Sequence, residues 1–165
     1  MQSPLPHTSY YIPHTRKGFT VIELVVSISL LLIIGSFAVV AIQNQVQSTL
    51  DSESQVIVAR LTEAQSRAIS GVNNLGWGVR FHNATNTTPY YALFSGASFQ
   101  TSTQTYYLSG LIQFATPASG TLQDVVFTKL SGSTATNTTI VVRLKSDPTE
   151  SKSITITNKG KISTQ

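Results

Sequence analysis

A chain of 165 residues and 17.8 kDa holds one domain of ordinary size, which excludes a multidomain machine. Only 11% of the residues are charged, against roughly 25% in an average soluble domain, while Ser and Thr together number 43. The absence of cysteine excludes a disulfide scaffold, a thiol nucleophile and Cys-ligated metal sites, and a net charge of +4 is weak evidence for nucleic acid.

Residues 19–42 form an apolar run whose one charge is Glu23, with no proline inside it. At about 1.5 Å of rise per residue a helix of roughly 20 apolar residues crosses a bilayer, so the run predicts a transmembrane helix. Arg16 and Lys17 stand directly before it and no basic residue follows until Arg60. That asymmetry predicts a cytoplasmic N-terminus with the rest of the chain across the membrane. The run is too long for the apolar region of an ordinary secretory signal, although Val39 and Ala41 loosely supply a small-residue cleavage site. A plain anchor leaves Glu23 unexplained, because a carboxylate in the apolar part of a helix costs on the order of 2.5 to 3.5 kcal/mol and calls for a partner.

The stretch Arg16-Lys17-Gly18-Phe19-Thr20-Val21-Ile22-Glu23-Leu24-Val25-Val26 resembles the class III signal of type IV pilins and type II secretion pseudopilins. The resemblance implies cleavage between Gly18 and Phe19 by a prepilin peptidase on the cytoplasmic side, and methylation of the new amine on Phe19. Arg16 and Lys17 become the basic pair of the leader, and Glu23 becomes the fifth residue of the mature chain. Glycine before the cut lets a protease approach the extended backbone closely. A buried carboxylate and the cationic N-terminus of a neighbouring subunit offset each other's desolvation, which makes Glu23 a pin for axial register. The implied division is a leader at 1–18, a transmembrane and assembly helix at 19–42, an amphipathic continuation at 43–71 and a β-rich head at 72–165. The implied partners are other pilin or pseudopilin subunits, the prepilin peptidase, the bacterial inner membrane and an assembly platform. The implied location is the inner membrane first, then a filament in the periplasm or at the cell exterior.

Between Gln43 and Ser70 there is neither proline nor glycine. Val46, Leu50, Ile57, Leu61, Ala64 and Ala68 fall on one stripe of a helix, Glu63 and Arg67 form an i,i+4 pair on another face, and Gly71 reads as the C-cap. After Gly71 the pattern changes to short alternating segments. Strands are predicted at Trp77 to Phe81, Tyr90 to Phe94, Tyr106 to Phe114 with a break around Gly110, Leu122 to Leu130, Thr139 to Lys145, Ser153 to Thr157 and Lys161 to Ser163, with a tight turn at Asn158-Lys159-Gly160. A long helix followed by antiparallel strands predicts an α+β domain, the helix packed on an antiparallel sheet. The region from Leu61 to Phe94 and the closing Ile-Thr-Ile-Thr-Asn-Lys-Gly-Lys-Ile are similar to minor pseudopilins and minor pilins of the H or FimT type. That similarity implies a subunit of low abundance near a filament tip. Many shaft pilins have a proline near the end of the apolar stretch, where this chain has Val39, Val40 and Ala41.

No enzymatic constellation is present. His7 and His14 lie in the leader, His82 stands alone, and the acidic residues form no metal-binding motif, so neither a metal nor a cofactor is expected. Three Asn-x-Thr triplets, at Asn83, Asn86 and Asn137, fit the glycosylation sequon. Arg143 and Lys145 alternate with Val142 and Leu144, which sets both charges on the outer face of one strand, and Lys152, Lys159 and Lys161 follow in sequence. A solvated positive face is the plain reading. The alternative is contact with DNA phosphates in a minor pilin of a DNA-uptake pilus, although no aromatic residues interleave with the charges to stack bases.

Overall fold

The computed structural model describes residues 18–165, with the side chains of 36–46 left out of the description. The leader residues up to Lys17, among them Arg16, His7 and His14, and the side chains of Val39, Val40, Ala41 and Val46 therefore lie outside the described residues.

Helix α1 spans Val21–Ile69. The chain divides into two units, Met1–Ala41 and Ile42–Gln165. The second unit contains the latter part of α1 and all the strands, and it is an α+β domain. The expected stripe is the buried one: Leu50, Ile57, Leu61, Ala64 and Ala68 are each at most 3% exposed. Ser54 completes the stripe as a buried polar residue, its hydroxyl donating to the Asp51 carbonyl at 2.8 Å. Gly71 ends the helix as expected, at φ 63°, with its N–H donating to Ala68 O. A short turn at Val72–Asn74 follows it.

Among the described residues eight strands make two antiparallel sheets of four, where a single sheet was expected. The first has the order β3-β2-β1-β5, with β1 at Trp77–Asn83, β2 at Tyr90–Ser95, β3 at Ser102–Tyr107 and β5 at Thr121–Phe127. The second has the order β4-β6-β7-β8, with β4 at Ile112–Thr116, β6 at Thr138–Leu144, β7 at Ser151–Ile156 and β8 at Ile162–Thr164. The segment expected as one broken strand at 106–114 therefore belongs to both sheets, and the break at 108–111 is where the chain crosses between them. Ile112 N–H closes this crossing on Ser109 O at 3.0 Å, and Leu108 is buried beneath it. Strand β5 stops at Phe127, short of the expected Leu130, because Leu130 turns into the left-handed region at φ 66° and donates its N–H to Ala68 O at the end of α1.

One core lies between the helix stripe and the inner faces of both sheets. Trp77, Val79, Phe81, Tyr91, Leu93, Val125 and Phe127 come from the first sheet, and Ile112, Phe114, Ile140, Val142, Leu144, Ile154 and Ile156 from the second. Gln65 fastens the helix to the loops beside this core: its amide donates to Gly132 O at 3.0 Å and to Gly160 O at 2.7 Å.

Candidate processing and assembly site

Helix α1 starts two residues after the expected cut. Gly18, Phe19 and Thr20 are non-helical, and Val21 is the first helical residue, so the Gly18–Phe19 bond lies in backbone free of helix hydrogen bonds. A Cβ on Gly18 would meet nothing within 4 Å. Crowding by the described residues thus gives no reason for glycine here.

Thr20 is the cap. Its hydroxyl oxygen accepts the Glu23 N–H at 3.3 Å, and Leu24 N–H donates to Thr20 O at 3.1 Å. Threonine followed three residues later by glutamate is the sequence signature of a helix start, a signal the sequence reading passed over. Glu23 therefore sits in the first turn, where the positive end of the helix dipole favours a carboxylate. Glu23 is exposed and takes no ion pair among the described residues.

Around and after Glu23 the helix is apolar on every side. Phe19 is 80% exposed and Ile22 70%, and Leu24 to Ile34 carry their large apolar side chains exposed. The two hydroxyls in this stretch are satisfied internally: Ser27 donates to Glu23 O at 2.7 Å and Ser29 to Val25 O at 2.8 Å. Apart from the Glu23 carboxylate, the side chains of this surface offer no polar group that needs water. Among the described residues no helix is long and apolar enough to cross a membrane. The expected span at 19–42 continues through 36–42, whose side chains lie outside that description.

In the head, the expected basic residues separate into three places. Val142 and Leu144 are buried and Arg143 faces away from the core, as the alternation predicts, with Lys145 just beyond the strand. Lys152 pairs in register with the inward Val142 and reaches Asp51 of the helix at 3.0 Å. Lys159 and Lys161 flank Gly160 at the opposite end of the second sheet from Arg143, because Arg143 pairs with Ser151 while Ile162 pairs with Ile156. At about 3.4 Å per residue those two ends are roughly 17 Å apart. His82 packs edge-on against Tyr90 at 4.9 Å, and no group of three or more His, Cys, Asp or Glu residues able to hold a metal occurs among the described residues.

Residues 13–39 match the family model of the prokaryotic N-terminal methylation motif. No curated protein and no solved structure matches the chain. The matched segment takes in the glycine, the phenylalanine, the glutamate and most of the apolar run whose geometry is described above. Over residues 13–39 the chain thus carries the prokaryotic N-terminal methylation motif, in the segment that resembles the class III signal of type IV pilins and pseudopilins.

Proposed function

We propose that this protein is a minor pseudopilin of a type II secretion system or a minor type IV pilin, cut between Gly18 and Phe19, methylated on Phe19 and assembled through residues 19–42. The observation that supports this reading is the run of exposed apolar side chains from Phe19 to Ile34, interrupted by one carboxylate in the first helical turn, within a segment that matches the methylation motif. An apolar cylinder exposed in this way requires lipid or other helices around it. In the inner membrane it is anchored by lipid, and in a filament it exchanges lipid for the equivalent helices of neighbouring subunits. Glu23 then pairs with the Phe19 amine of a neighbour, and the pair sets the axial step, since a shifted helix leaves both charges unpaired in an apolar core.

The test is a comparison of wild type with Glu23→Ala and Glu23→Gln in cells that make the filament, scored by processing and by incorporation. Processing is expected in all three. Incorporation is expected to fall at least tenfold in both variants, because glutamine keeps the shape and loses the charge that an amine requires (about 1.4 kcal/mol per tenfold). Normal incorporation of Glu23→Gln contradicts the register role. The separated basic residues supply no single track for a nucleic-acid backbone, so DNA uptake is not part of this reading.

A further inference from the structure

Four arginines lie among the described residues, and three share one pattern: a carboxylate partner together with an aromatic ring. Arg60 donates to Glu63 at 2.7 Å and lies over Tyr106 at 4.6 Å. Arg67 pairs with Glu63 at 2.5 Å and lies over Trp77 at 4.7 Å. Arg80 makes a two-pronged pair with Asp124, both contacts 2.6 Å, and lies over Phe99 at 4.1 Å. Arg143 has neither carboxylate nor ring, and its buried Nε has no hydrogen-bond partner.

Arg143 and Lys145 instead line a groove of about 480 Å³ between the β1–β2 loop and strand β4, with Thr85, Thr87, Gln113 and Ser119 on its walls. Among the described residues no carboxylate lines it. The walls are held in place by Asn83, whose buried side-chain amide donates to Phe114 O at 3.2 Å and Pro117 O at 2.8 Å, and whose backbone carbonyl accepts Gly120 N–H at 2.6 Å. Two cations two residues apart along one chain direction thus face a pre-formed, hydroxyl-rich cleft without an internal counter-charge.

We propose that this groove binds an extended acidic segment of a partner protein, with the Arg143 guanidinium forking onto one carboxylate and the Lys145 ammonium holding a second. Alternate residues of an extended segment lie roughly 7 Å apart on one face, so its carboxylates can face two cations that are themselves two residues apart. The planar fork matches a carboxylate on two donors at once, and the wall hydroxyls bond the segment's backbone. A nucleic acid fits the groove less well. Its backbone needs a track of cations, and here Lys159 and Lys161 stand at the far end of the sheet while Lys152 is held by Asp51. Stacking also requires an open ring, whereas the one ring lining the groove, Phe114, is 3% exposed. The groove lies wholly in the head, so the proposal stands or falls apart from filament assembly.

The test uses the full chain in detergent micelles and a fluorescein-labelled, capped hexapeptide of alternating Glu and Ser, read by polarisation at low salt. Saturable binding is expected, with none for the matching peptide of alternating Gln and Ser. Arg143→Gln is expected to weaken binding at least about tenfold. Arg143→Lys keeps the charge and loses the fork, so it is expected to weaken binding by less while leaving the melting temperature unchanged. The double variant Lys159→Gln with Lys161→Gln is expected to bind as wild type does. The proposal is overturned by failure of the acidic peptide to saturate, by an equal loss in the Lys159 and Lys161 variant, or by a DNA oligonucleotide that displaces the peptide and binds more tightly through Arg143.

Discussion

Tyr91 and Gly160 show how single positions in the head are committed by their surroundings. Tyr91 is 2% exposed and stacks on Tyr106 at 5.4 Å. Burial, reinforced by the nearby Glu53 carboxylate, pushes its phenol up to about 12 from 10.0. A raised phenol pKa means that the folded state favours the neutral form. Its contribution is complete below pH 10.0 and is lost as the pH rises through about 12. Absorbance titration at alkaline pH is expected to show a tyrosine step near 12 that Tyr91→Phe removes. Gly160 sits at φ +83°, and a Cβ there would fall 2.2 Å from Gly132 O and 2.4 Å from the Gln65 amide nitrogen. Gly160→Ala must therefore both strain the backbone and displace the Gln65 clamp, with an expected cost of about 2 kcal/mol or more in denaturant unfolding. An alanine variant as stable as wild type would mean that the clamp contributes nothing.

At the scale of elements, the latter part of α1 was legible because one face is apolar at helical spacing, and Leu50, Ile57, Leu61, Ala64 and Ala68 are all buried. The Glu63–Arg67 pair was legible for the same reason. The structure adds Arg60 to it, so that one carboxylate serves two guanidiniums. The hydrogen bond from Arg60 is the main cause that holds the Glu63 carboxyl below its ordinary 4.5, with Arg67 adding to it. A depressed carboxyl stabilises the fold above its unfolded value, and that contribution is lost as the pH falls through the folded one. The melting temperature of Glu63→Gln is therefore expected to lie below that of wild type at neutral pH, with the gap closing as the pH drops below 4.5. A gap that stays constant in acid would show that the carboxylate charge is not what the pair contributes. Strand β3 was partly missed because Ser102 to Thr105 carry no apolar alternation. They form an edge strand with little burial on either face, and such strands leave no periodic trace. The basic residues near the C-terminus were grouped by sequence proximity, whereas the β6–β7–β8 register sends them to opposite ends and faces of the second sheet.

For the whole molecule, α+β architecture was readable from the change of hydrophobic period at Gly71, while the division into two sheets was not. Alternation reports that a strand has a buried face and says nothing of which strand it pairs with. The crossing at 108–111 that assigns β3 and β4 to different sheets is a tertiary choice. The Gln65 contacts reach across 67 and 95 residues, beyond any local signal. The N-terminal site is the reverse case. Its motif is local: Gly18, Phe19 and Glu23 all lie in the matched segment 13–39, and on the proposed reading a peptidase and a packed helix would each read consecutive residues.

The most direct test of the account is the mass and N-terminal residue of the full-length protein made in cells with and without a prepilin peptidase. The account requires a mature chain that begins at N-methylated Phe19 when the peptidase is present, and an uncut chain that retains Met1 to Gly18 when it is absent. A start near Ile42, or an uncut chain in the presence of the peptidase, would contradict it and leave a secreted or simply anchored β-rich domain.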